Sequence, residues 1–227
     1  MKELISLIFV FCTTLMIDGQ IVMNPAYGLV SHETMTIAAI EKNATGTVIS
    51  ISLVNMTTGG YFCVDRNTFM VLPDGSKLRL QKAEGIPHCP DVHRFSQIGE
   101  SISFKLYFPE IMLMPEWFNL VEECGENCFS VLGITTGQDI NDRLDQAYML
   151  ADSGKAAEAG AVFKDILTQM GEKRHGISGS LYSNIIIMYL REGNEVEARQ
   201  WYKKMIESGA PDLNLYIDNL SARGIKW

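Results

Sequence analysis

Cys63, Cys89, Cys124 and Cys128 are the side chains of this sequence best equipped for chemistry, because paired sulfurs can cross-link or hold a soft metal. Cys124 and Cys128 flank Gly125-Glu126-Asn127, and a tight three-residue hairpin loop would bring their Cα atoms within the roughly 4.4 to 6.8 Å that a disulfide spans. That pairing leaves Cys63 with Cys89; four cysteines admit three pairings in all, and buried free thiols are the alternative. No metal is expected, since no paired CxxC spacing occurs. His88 adjoins Cys89 and His93 follows four residues on, the one compact group with ligand chemistry, and its simpler reading is a disulfide beside two surface histidines. His32 and His175 stand apart, and no histidine sits beside a serine or cysteine in a nucleophile motif. Glu122-Glu123 and the Glu195, Glu197 pair are expected to be solvated faces rather than an acid and its base. Neither a catalytic residue nor a cofactor is expected.

Whether those sulfurs pair depends on the compartment, and the N-terminus speaks to that. Lys2 is followed by an apolar run over residues 4–17 and then by Asp18-Gly19-Gln20, the layout of a secretory signal peptide, with cleavage expected after Gly19. The run is shorter than the about 20 apolar residues of a membrane span. Cys12 lies inside it behind Phe9-Val10-Phe11, which does not resemble the small-residue setting of a lipoprotein anchor. The mature chain is therefore expected to be periplasmic or secreted, off the membrane, where disulfides persist. A formal charge of −8, with Lys and Arg scattered, argues against a nucleic-acid surface.

Residues 20–134 alternate at period two. Ile102, Phe104, Leu106 and Phe108 fall on one face of a strand, as do Ile49, Ile51 and Leu53, and Met35, Ile37 and Ala39. Asn43-Ala44-Thr45-Gly46 supplies one hairpin turn, and Pro73-Asp74-Gly75 another between residues 68–72 and 76–80. With residues 61–65, 117–121 and 128–132 this makes about eight strands and predicts an antiparallel β-sandwich. The order Asn67-Thr68-Phe69, Pro73-Asp74-Gly75-Ser76-Lys77, Ala83-Glu84-Gly85-Ile86-Pro87, Phe104-Lys105-Leu106-Tyr107-Phe108-Pro109 and Cys128-Phe129-Ser130-Val131-Leu132-Gly133-Ile134 resembles an immunoglobulin-like domain common in exported proteins of Bacteroidetes. The resemblance implies a fold and a compartment, and no reaction.

After Thr135-Thr136-Gly137 the period changes to about 3.6, with Asp139 or Asn141 able to cap the first helix. Helices are expected over residues 139–152, 155–170, 179–192, 195–208 and 212–222. Gly154, Ala159 and Phe163 recur as Gly193, Ala198 and Tyr202, a glycine to end one helix, a small residue where the pair crosses and an aromatic one turn on. This spacing resembles the tetratricopeptide repeat, although the two glycines lie 39 residues apart against the family's roughly 34. Ile186 also stands where the first copy has the small Ala147. The resemblance implies a module that binds a protein or peptide, with Asn141, Tyr148, Asp152, Ser183, Ile187 and Arg191 lining its groove.

The expected class is α+β in two domains: a leader over residues 1–19, the sandwich over 20–134 and the helical repeats over 135–227. Helical repeats bury a continuous core only with about three or more units. Two repeats and a capping helix need cover, from another copy of the chain or, as we expect, from docking on the sandwich. The function these readings imply is a non-catalytic, exported protein-protein interaction or scaffold module of the cell envelope. The alternative is a carbohydrate-binding accessory protein that uses sandwich aromatics such as Trp117 and Tyr107.

Overall fold

Along residues 101–108 the pleat buries Phe104, Leu106 and Phe108 and leaves Ser101, Ser103 and Lys105 in water. The computed structural model describes residues 19–125, 127–171 and 174–227, and it builds that strand into one of two antiparallel sheets. The expected leader, apart from Gly19, lies outside the described residues, and Cys12 with it. The first sheet runs β1 (Gln20–Met23), β3 (Met35–Asn43), β4 (Gly46–Val54), β10 (Ser101–Phe108), β8 (Lys82–Glu84). The second runs β2 (Leu29–Val30), β12 (Ser130–Thr135), β11 (Trp117–Glu122), β6 (Thr68–Val71), β7 (Lys77–Arg79). A short ribbon pairs β5 (Tyr61–Phe62) with β9 (His93–Arg94).

Both sheets feed one core, in which Ile49, Ile51, Phe104 and Phe108 of the first meet Met70, Phe118, Leu120 and Ile134 of the second. The hairpin expected at residues 43–46 forms with Asn43 opposite Gly46, and the one at residues 73–75 joins β6 to β7. A bulge between Ile37 and Ala39 turns Ile40 inward as well. Strands β1, β2, β8 and β9 add to the eight expected. None exceeds four residues, too short to show a period.

Among the described residues five helices follow, each bounded within one residue of its expected span: α1 (Gln138–Asp152), α2 (Ala156–Met170), α3 (Ser178–Arg191), α4 (Glu195–Glu207) and α5 (Leu213–Ala222). The cap of α1 is a correction. Gly137 holds that position with no side-chain bond, while Asp139 and Asn141 lie inside the helix. Gly154 and Gly193 follow α1 and α3 at φ of 80° and 72°, a conformation costly for a residue with a Cβ. Ala159, Phe163 and Ala198 are fully buried and Tyr202 nearly so, and Ala147 and Ile186 are both inside. Helix α3 is central, packing on α2, α4 and α5. Among the described residues no helix is long and apolar enough to cross a membrane.

Part of the apolar surface of the helices is buried against the β half. Ala26 packs into the core of α1–α3, and Leu29 into that of α3–α5. Close approach is obtained with small residues: a Cβ on Gly176 would overlap the Trp117 ring, and one on Gly28 would overlap the Tyr216 hydroxyl. Around these contacts Asn119 donates to Asp212 Oδ2 (2.9 Å) and accepts from the Gly133 amide (2.7 Å). Tyr216 donates to the Gly176 carbonyl (3.3 Å), and burial pushes its phenol pKa well up. Cover for the short helical array thus comes from the same chain.

Candidate functional site

Helices α1 and α3 carry the residues expected to line a groove, and the structure divides them. Asn141 is buried, 3% exposed, and its Oδ1 accepts from the Ala26 amide at 3.0 Å and from the Thr135 hydroxyl. It faces the β half and not an open groove. Ser183 is also buried, its hydroxyl donating to the Gly179 carbonyl one turn back at 2.9 Å. Tyr148 is half-buried, with its ring edge-on to Phe163 at 5.4 Å and its oxygen accepting from Asn184 at 3.2 Å. Ile187 is half-buried between the two helical clusters. Arg191 and Asp152 are exposed, and Arg191 donates to the Ala151 carbonyl at 3.1 Å, tying the end of α3 to the end of α1.

Tyr148, Asn184 and Arg191 therefore link α1 to α3, while residues 25–29 of the β half lie over the Asn141 end of the same face. Asn184 was not among the expected residues. Its distance from Tyr148 along the chain is 36, so only the helical packing brings the two together.

A cavity of about 950 Å³ opens beside β5 in the β half, with His32, Asn55, Tyr61, Cys63, Glu122 and Cys124 among its walls. Both expected disulfides are present, Cys63–Cys89 with Cα atoms 5.2 Å apart and Cys124–Cys128 with Cα atoms 5.5 Å apart. Comparison with protein-family models, with curated proteins and with solved structures found no match. The chemistry of the cavity has to be read from its own residues.

Glu122 overturns the expectation of a solvated pair. It is 6% exposed, whereas Glu123 is in water and ion-paired to Lys77. Its Oε1 accepts from the Asp65 amide (2.6 Å) and its Oε2 from the Phe129 amide (3.1 Å). Burial raises the carboxyl pKa, and the two amides, which favour the ionised form, reduce that rise without cancelling it. The sequence hid this because β11 is covered on both faces, so that no alternation marks its last residue. Burial also lowers the His32 imidazole, which lies edge-on to Phe62 at 5.7 Å. His88 Nδ1 lies 3.1 Å from the Val64 carbonyl, and His93 Nε2 is 3.6 Å from Glu100 Oε1, at ion-pair range.

Trp117 does not lie at the surface as sugar stacking would require. It is 8% exposed, lying beneath the helical half beside His175 at 6.0 Å, so it offers no sugar-stacking platform. Tyr107 is half-buried and donates to Glu84 at 2.9 Å. A smaller cavity of about 470 Å³ lies where the halves meet, between Met114, Thr136, Asp139, Ile140, Arg143 and His175. Arg143, in its wall, is engaged by Asp165 and Gln169 of α2.

Proposed function

We propose that the chain is an exported, non-catalytic interaction or scaffold module of the cell envelope, an immunoglobulin-like sandwich carrying a short tetratricopeptide-like helical domain. The observation that carries this reading is the use already made of the helical face: Asn141 holds the main-chain amide of Ala26, and Tyr216 closes over Gly28. A face that grips backbone with a side-chain amide, and covers it with an aromatic ring, has the chemistry of peptide recognition. The cis segment takes one end. Tyr148, Asp152, Ile187 and Arg191 occupy the other, where a mixture of apolar and charged groups suits an extended protein segment. Two disulfides support the exported compartment. The left-handed glycines and buried alanines of the helical pairs support the repeat reading.

The experiment is covalent capture from native envelope with the full chain, comparing wild type with Tyr148→Ala and Arg191→Glu. Loss of the same captured protein from both variants, with folding unchanged by circular dichroism, is the expected result. Identical capture by all three would sink the proposal.

A further inference from the structure

The tip of the β11–β12 hairpin joins three groups whose chemistry goes beyond the interaction reading. Glu122 closes β11, and Cys124 and Cys128 bracket the loop that follows it. One carboxylate oxygen of Glu122 and the two sulfurs lie within 4.8 Å of one another. In the oxidised chain the sulfurs are bonded to each other. Their Cα separation of 5.5 Å, however, lets the side chains part without moving the backbone.

Tetrahedral zinc asks for metal–sulfur bonds of about 2.3 Å, hence sulfurs about 3.8 Å apart, and a carboxylate oxygen at about 2.0 Å, with two cysteines spaced by two to four residues. Cys124 and Cys128 are spaced by three, and the third ligand comes from two residues upstream. Glu122 is already aimed. Each of its oxygens accepts one amide hydrogen, from Asp65 or Phe129, and each keeps a second lone-pair direction. Such amides are the outer-shell partners that fix a carboxylate ligand. The hairpin beneath is closed by the Glu122 amide donating to the Phe129 carbonyl at 3.0 Å. Both Glu122 and Cys124 border the 950 Å³ cavity, which leaves the fourth coordination position to water or a small ligand.

We propose that reduction of the Cys124–Cys128 disulfide turns this hairpin into a three-ligand site, Glu122 with two thiolates, for a thiophilic divalent cation such as Zn²⁺. The electron count is simple. The disulfide takes two electrons and two protons from a dithiol, which becomes a disulfide, or from a phosphine, which becomes a phosphine oxide with oxygen from water. The two thiols then release their protons as the cation binds. Two thiolates and a carboxylate select zinc-like ions over magnesium or calcium. Exchange with a disulfide compound, which takes the two electrons, picks up two protons from water and leaves as a dithiol, restores the Cys124–Cys128 disulfide and expels the ion.

Cobalt(II) is the probe. The full chain is reduced with a phosphine, freed of it under anaerobic conditions and titrated with Co²⁺. One equivalent should give sulfur-to-cobalt charge-transfer absorbance and the visible bands of a tetrahedral ion, and the oxidised chain should give neither. Cys124→Ser/Cys128→Ser, reduced identically, controls for the Cys63 and Cys89 thiols and should lose the bands. Glu122→Gln should weaken binding by about tenfold or more. Should the variants misfold, the wild-type chain decides by itself: Zn²⁺ should slow alkylation of Cys124 and Cys128, read by peptide mass spectrometry, but not of Cys63 and Cys89. No cobalt bands in the reduced wild type, the same bands in the double serine variant, or equal alkylation with and without zinc would overturn the proposal.

Discussion

Asn141 Oδ1 accepts the amide hydrogen of Ala26 at 3.0 Å, joining the first turn of α1 to an extended segment 115 positions away. The same oxygen receives the Thr135 hydroxyl, so one side-chain amide holds the N-terminal segment, the last strand and the first helix together.

Asn141→Ala removes the acceptor for both donors and leaves them enclosed. An orphaned buried donor costs about 1–3 kcal/mol, and we expect a loss near the upper end of that range in urea unfolding of the full chain. A loss below about 0.5 kcal/mol would mean that water replaces the oxygen and that the junction is wetter than its burial indicates.

Gly28→Ala places a methyl group into the Tyr216 hydroxyl. Overpacking of this kind costs about 1–3 kcal/mol. Tyr216→Phe removes the obstructing oxygen along with its bond to Gly176, so the double variant should be more stable than the sum of the two single losses allows. Additive losses in a thermal or chemical denaturation cycle would show that the two residues do not meet.

The two disulfides close loops of very different length, with sequence separations of 26 for Cys63–Cys89 and 4 for Cys124–Cys128. Loop-closure entropy assigns about 3.5 kcal/mol to the first and about 2 kcal/mol to the second. Paired serine replacements should therefore lower the urea midpoint more for Cys63 and Cys89. The reverse order would point to contacts of the short loop as the larger contribution.

Glu122 makes stability depend on pH in the direction opposite to most carboxylates. Burial holds its pKa above the ordinary value, so the folded chain keeps the proton after the unfolded chain has lost it. Its contribution is fully present below the unfolded pKa and is lost as pH rises through the folded one. The stability of wild type relative to Glu122→Gln should accordingly fall as pH rises above the ordinary carboxyl range, then level off once the folded carboxyl has ionised. A difference that grows with pH would show that the Asp65 and Phe129 amides outweigh burial.

Local chemistry was the legible part of this sequence. Helix bounds followed from the 3.6 period and from Gly154 and Gly193, and the hairpins followed from Asn43-Ala44-Thr45-Gly46 and Pro73-Asp74-Gly75, because each signal lies within a few residues of its effect. The Cys124–Cys128 pairing was local for the same reason. The site was harder. Asn141 looked like a groove residue because α1 alone cannot show that Ala26 lies over it, and Trp117 looked like a surface aromatic because its cover is Gly176, far along the chain. Glu122 was misplaced since β11 is buried on both faces, so that a polar residue at its end carries no mark of side. In all three cases the deciding neighbour is distant in sequence.

The contact between Ala26 and Asn141 also fixes an order of events. A chain made or translocated from its N-terminus delivers residues 25–29 early, and their partner surface on α1, α3 and α5 is complete only when the last helix emerges. Until then the sheets can close, with Gly28 donating to the Leu132 carbonyl and Ala26 accepting from the Thr135 amide, but the side of the segment that meets Tyr216 stays uncovered. The helices are thus the clasp of the molecule, and a chain truncated before α5 would keep its strands and the Asn141 bond to Ala26 but lose the Tyr216 ring over Gly28.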